Sequence, residues 1–98
     1  MTLPLVLLAS AQADLAEAKE WFRQNRPHLE QDFATCVHET MERIRLYPTA
    51  YEVEGPFRRA FVHRFPYRVV YRPTATQCAV IAVFHTSRDP RVWQERDH

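Results

Sequence analysis

The chain has 98 residues, 46% of them hydrophobic and 26% charged, with one glycine, two cysteines and a formal net charge of +1. That is one ordinary globular domain with a small core, too apolar to be disordered and too poor in glycine for a phosphate-cradling loop. The small net charge hides an asymmetry: residues 1–54 carry five basic and nine acidic side chains, while residues 55–98 carry eight and three. Such a dipolar chain can hold an anionic partner on one side without being a general nucleic-acid coater.

In chain order, Leu3 to Leu8 is a continuous apolar run with Pro4 near its start, which predicts a short strand. The stretch LPLVLLASAQA also resembles part of a signal peptide. It lacks a basic leading region and its apolar run is short, so the strand is the expectation. Ser10 is placed to cap the helix that follows, with Asp14 and Glu17 suited to its first turns. Leu15, Ala18 and Phe22 form one apolar stripe, flanked by Trp21, and Asn25-Arg26-Pro27 breaks it. A second helix is expected from about His28 to Tyr47, burying Leu29, Phe33, Cys36, Val37, Thr40, Met41, Ile44 and Tyr47, with Pro48 ending it. The pair predicts an antiparallel helix hairpin.

Residues 48–56, punctuated by Pro48, Gly55 and Pro56, read as a loop. The period then changes from 3.6 to 2. Arg59 to Phe65 and Tyr67 to Arg72 alternate, with Pro66 in the turn between them. Cys78 to Phe84 is apolar at every position, as a strand covered on both faces requires. Asp89-Pro90 suits the start of a short final helix carrying Val92 and Trp93. The expected fold is α+β: an N-terminal strand, a helix hairpin on one face of a small sheet, three C-terminal antiparallel strands and a short helix or tail. No apolar run is long enough to span a membrane.

The segment FRRAFVHRFPYRVVYR concentrates the chemistry: five arginines (Arg58, Arg59, Arg64, Arg68, Arg72), one histidine and no acid. Strand alternation sends Tyr67, Val69 and Tyr71 toward the helices and leaves Arg68 on the open face. The same rule places His85 on a face with Ile81 and Val83. A shallow anion site is therefore expected to gather Arg68, His85 and Arg88 with Arg58 or Arg59, because a planar guanidinium grips two oxygens of a phosphate or carboxylate at once. The plainer alternative is a solvated sheet face whose arginine stems cover apolar surface. His85 could move a proton near neutral pH, although a lone strand-end histidine is more often structural, and His63 has a weaker case. Cys36 and Cys78 read as small hydrophobes, Trp93 as a packing anchor and Asp89 as a helix cap. Neither a metal-ligand spacing nor a Ser-His-Asp or Cys-His arrangement is readable, and no cofactor is expected.

The runs RRAFVHRFPYRVVYR and AVIAVFHTSRDPRVW, with ADLAEAKEWFRQNRP and ERIRLYP in the helices, resemble the RelE/ParE superfamily of bacterial type II toxins along nearly the whole chain. The resemblance implies a cytoplasmic toxin, of the kind linked to plasmid stabilization and growth inhibition, bound to a cognate antitoxin in a hetero-oligomer. Family antitoxins wrap their toxin with an extended, frequently acidic segment.

Two activities are known in the superfamily. RelE-like members cleave mRNA on the ribosome; ParE-like members inhibit DNA gyrase by binding and need no catalytic residue. Arg68, in a Y-R-x-V-Y pattern, and Arg88 match nuclease positions, with His85 as the proton carrier. The tyrosine that RelE carries in its C-terminal segment is absent from Arg91-Val92-Trp93-Gln94. That departure, the modest charge and the HTSRDP ending point to the ParE-like branch, with the nuclease and a non-toxic degenerate member as alternatives. On either activity Arg58, Arg59, Arg64, Arg68, Tyr71, Arg88 and Trp93 are the expected contacts to antitoxin or target.

Overall fold

The computed structural model describes residues 3–96, with the backbone alone at Val92, so the expected packing of the Val92 side chain lies outside the described residues. Strand β1 (Leu5–Leu7) leads into helix α1 (Ala9–Asn25); a 3₁₀ turn (Pro27–Leu29) joins it to helix α2 (Glu30–Leu46). Strands β2 (Glu52–Glu54), β3 (Phe57–Phe61), β4 (Tyr67–Pro73) and β5 (Cys78–His85) follow, then the four-residue helix α3 (Arg91–Gln94). The five strands form one sheet in the order β1-β5-β4-β3-β2. β1 runs parallel to β5 and the other neighbours are antiparallel. The α+β fold expected from the sequence is the one observed.

The helix hairpin covers one face of the sheet. Its stripes deliver Ala18 and Phe22 from α1 and Phe33, Cys36, Val37, Met41 and Ile44 from α2 onto Ala60, Val69, Tyr71, Cys78, Val80 and Val83. At one end of this core four aromatic rings meet. Phe33 stacks on Phe22 with centroids 4.7 Å apart and meets the ring of Tyr67 at 4.8 Å and that of Phe65 at 5.4 Å. Edge-to-face and offset contacts of this kind add to simple burial. Both cysteines are free and buried among apolar neighbours, as small hydrophobes.

The opposite face carries a second, smaller core. Phe57, Val70, Ile81, Ala82 and Phe84 are roofed by Trp93, and Leu8 packs at the edge. The Trp93 ring lies edge-on to Phe57 at 5.5 Å and is 1% exposed. This explains why β5 is apolar along its length: helices cover one side and the C-terminal segment the other.

Four local expectations are corrected. Ser10 is not the cap of α1; Leu8 holds that position with no side-chain cap, and the Ser10 hydroxyl donates to the Ile81 carbonyl at 2.7 Å. Asp14 does more than face the helix dipole: it accepts the Val83 backbone N–H at 3.1 Å and a two-pronged contact from Arg96 at 2.8 and 2.9 Å. Pro90, not Asp89, is the N-cap of α3, although Asp89 still accepts the Arg91 backbone N–H at 2.9 Å. Finally, residues 48–56 are not all loop. Glu52–Glu54 pairs with β3 as a fourth C-terminal strand and an edge of the sheet. With Glu52 and Val53 exposed and Glu54 half-buried it offers no apolar alternation to read.

Candidate functional site

Pairing register decides where the arginines point. β3 and β4 pair Arg59 with Val70 and Phe61 with Arg68; β4 and β5 pair Arg68 with Phe84 and Tyr67 with His85. Tyr67, Val69 and Tyr71 belong to the helix-side core and Val70 to the outer one, so alternation in β4 runs as expected. In β5 it does not. Val70 faces Ala82 but Tyr71 faces Val80, which leaves Ile81 as an unpaired bulge residue. Ile81 and Ala82 both face outward, and Val83 and His85 return to the helix side. His85 thus shares a face with Val83 but not with Ile81, and Arg68 stands on the opposite face from His85.

The expected cluster of Arg68, His85 and Arg88 with Arg58 or Arg59 is therefore not assembled. Arg68 lies over the ring of Phe61, its guanidinium carbon 4.5 Å from the centroid. Its Nε is buried without a hydrogen-bond partner. Arg59, on the same face, pairs with Glu52 and with Glu54, the latter at 3.0 Å. The acid missing from the arginine-rich run is supplied by β2, the strand that the sequence hid. Arg58 leaves on the helix side and donates to the carbonyls of Thr49 and Tyr51 at 3.1 and 2.8 Å. Arg72 is exposed.

Two expected contact residues are withdrawn from the surface. Tyr71 is fully buried and its hydroxyl donates to the Pro48 carbonyl at 2.6 Å, so burial pushes its pKa far above the usual phenol value. Trp93 is the roof of the outer core, in keeping with its reading as a packing anchor, and offers no surface to a partner.

A cleft of about 530 Å³ opens instead on the helix side, at the end of the sheet where the β3–β4 hairpin turns. Trp21 and Phe22 of α1 and Arg26 and Leu29 of the helix junction form one wall. Arg64, Phe65, Pro66 and Tyr67 of the hairpin form another, and His85, Ser87 and Arg88 close the end. Its base is apolar and continuous with the aromatic cluster; its rim holds three guanidinium groups. Trp21 is 51% exposed and adds apolar surface to this wall.

The rim is held in place locally. Arg64 has φ 71°, a left-handed conformation that costs a non-glycine residue about 1–2 kcal/mol. That turn sets the Arg64 guanidinium over the Phe65 ring at 5.6 Å, within a loose 3.6 Å contact to Asp32. The Thr86 backbone N–H donates to the Pro66 carbonyl at 2.8 Å and ties the hairpin to the end of β5. His85 Nδ1 accepts the Ser87 backbone N–H at 3.0 Å and lies 2.7 Å from the Ser87 hydroxyl, so the neutral ring carries its proton on Nε2. The ring also stands edge-on to Tyr67 at 5.2 Å. Ion pairs among the described residues engage Arg64 but neither Arg26 nor Arg88, leaving both to solvent or a ligand.

Of the sequence-predicted residues, then, Arg64, His85 and Arg88 line one cleft, while Arg58, Arg59, Arg68, Tyr71 and Trp93 do not. Sequence reading missed Trp21, Arg26 and Tyr67. The signal available was Trp21 at the flank of an apolar helical stripe, where a large aromatic ring is not needed for the core. No group of three or more His, Cys, Asp or Glu side chains suited to a metal occurs among the described residues.

The sequence matches the model of the ParE toxin of the type II toxin–antitoxin system parDE over residues 5–90. The chain belongs to the ParE toxin family. Among solved structures it is similar to a chain of the chromosomal ParDE toxin–antitoxin system from P. aeruginosa, with a TM-score of 0.75 at 12% identity, covering 86% of this chain and 96% of that one. At that identity the likeness speaks for the fold. No curated protein matches the chain. No helix among the described residues of this ParE-family chain is long and apolar enough to cross a membrane.

Proposed function

We propose that this ParE-type toxin inhibits growth as a binder rather than as a nuclease, with DNA gyrase as its target, and that a cognate antitoxin neutralises it in a cytoplasmic hetero-oligomer. One observation carries the choice of mechanism: Arg68 and His85 lie on opposite faces of the sheet. Cleavage of RNA through its 2′-hydroxyl needs a proton carrier and charge-stabilising donors around one phosphate. Arg68 stacked on Phe61, and His85 turned toward Tyr67 with Nδ1 engaged by Ser87, do not meet that need. The absent C-terminal tyrosine points the same way. For the antitoxin, the support is the cleft: an apolar floor with uncompensated arginines suits an acidic, apolar segment that folds on binding.

Supercoiling by purified gyrase is expected to fall as the protein is titrated in, and to recover when the antitoxin is added. Unaltered supercoiling at large excess rejects gyrase as the target. Messenger RNA recovered after induction is expected to be intact; discrete cuts in translated codons that disappear in Arg68→Ala would reinstate the nuclease.

A further inference from the structure

The cleft does not end at His85. A second, smaller depression of about 150 Å³ meets it, sharing Trp21, Tyr67, His85 and Arg88, and runs on past Ala18 to Glu17 and Asp14. Asp14, Glu17, Ala18 and Trp21 follow helical spacing, so the combined groove lies along one side of α1. Its charges are sorted. Arg26 and Arg64 stand at one end, Arg88 in the middle and Glu17 toward the other end. Asp14 is already engaged by Arg96, which leaves Glu17 as the acid at that end with no cationic partner among the described residues. Tyr67 senses both signs: burial raises its pKa, Glu17 raises it further and Arg88 opposes. From Glu17 to Asn25, next to Arg26, the helix rises about 12 Å, the length of eight helical or roughly four extended residues.

A small anion would be served by the arginines alone and would gain nothing from an unpaired carboxylate along the same track. A peptide would use both. We infer that the groove along α1 takes a peptide segment of the antitoxin in one orientation only. Its acidic side chains lie against Arg26, Arg64 and Arg88, a bulky apolar side chain enters between Trp21, Leu29 and Tyr67, and a lysine or arginine sits opposite Glu17. This rests on the antitoxin reading above and adds the charge order of the partner and its direction on the toxin. The apolar anchor supplies affinity; the opposed charges penalise the reversed docking, where like charges would meet at both ends.

The test uses the full-length toxin and its cognate antitoxin, with dissociation constants measured at several salt concentrations. R26E/R88E is expected to weaken binding by about 30-fold or more and to flatten its salt dependence; E17K is expected to weaken it by about 3–10-fold. R68E, on the opposite face, is the control and stays within about twofold of wild type. Arg26, Arg88 and Glu17 are exposed and Arg68 is half-buried on the outer face, and circular dichroism with a melting curve checks that each variant is folded. An antitoxin variant with a basic residue replaced by glutamate is expected to recover binding to E17K. Wild-type affinity in both R26E/R88E and E17K would place the antitoxin elsewhere and overturn the inference while leaving neutralisation intact. Loss in R26E/R88E with no change in E17K would reduce the groove to a plain anion site and overturn the orientation. Failure of the wild type to bind any antitoxin would defeat the antitoxin reading itself.

Discussion

The two faces of the sheet are built to different standards. On the helix side two seventeen-residue helices press a continuous core against four strands, and the aromatic cluster of Phe22, Phe33, Phe65 and Tyr67 runs out into an open, arginine-rimmed cleft. On the outer side a single turn of helix roofs five buried residues with Trp93. That roof is pinned at its end by the Asp14–Arg96 pair and by Gln94 donating to Glu54 at 3.1 Å. On the outer face Arg59 is engaged by Glu52 and Glu54 and Arg68 by Phe61, whereas Arg26 and Arg88 beside the cleft have no ion-pair partner among the described residues. Arginine count is thus a poor guide to a binding face; what matters is which guanidinium groups the fold leaves without a partner.

The comparison breaks most readily at its core. Phe33→Ala on the helix side is expected to cost about 3–5 kcal/mol in a urea titration, since a fully buried ring with three aromatic neighbours leaves a cavity that two helices hold open. A loss under 1 kcal/mol would mean the cluster is not the centre of stability. Trp93→Ala is expected to cost about 2–3 kcal/mol and to raise amide exchange first in residues 91–96, because the roof can come away before the helix-side core opens. Uniform exchange across the chain would show that the two cores are one cooperative unit.

Asp14→Asn is expected to cost about 2 kcal/mol, since it weakens acceptance of the Val83 N–H and leaves the Arg96 guanidinium without its counter-charge. Above pH 9–10 stability should decline. Burial raises the pKa of Tyr71 from 10.0 and that of Cys78 from 9.0, so the unfolded chain releases protons the folded chain retains. Those contributions are fully present below the unfolded pKa values and are lost as pH rises through the folded ones; Tyr71→Phe should flatten the alkaline slope. The smallest effect sharpens the contrast at the rim. Arg64→Gly relieves a left-handed backbone and is expected to raise stability by up to about 1 kcal/mol. It should at the same time weaken antitoxin binding, because the cation over Phe65 is lost. A destabilised Arg64→Gly would mean the Asp32 contact outweighs the strain.

Much of this architecture could be read along the chain. The 3.6 period of Phe33 to Ile44, the all-apolar run from Cys78 to Phe84 and the alternation in Tyr67 to Arg72 each report burial on one face or two, and the structure buries them accordingly. The strand β2 was not legible, because a three-residue edge of two glutamates around an exposed valine buries no apolar side chain and so leaves no pattern. The capping role given to Ser10 failed for a related reason. Its hydroxyl is claimed by a carbonyl 71 positions away, a competition that local preference does not contain.

Apart from β2, local sequence determined the elements, their order and most of the residues that seek the interior, since these follow from periodicity and from proline and glycine punctuation. Tertiary structure alone decided the register. One bulge residue, Ile81, turns β5 over relative to its neighbours, carries His85 to the helix side and parts it from Arg68. The same packing gave Glu52 and Glu54 to Arg59 and left Arg26 and Arg88 uncommitted. The physical reason is that side-chain direction in a strand depends on pairing with distant residues, and a shift of one position exchanges the two faces.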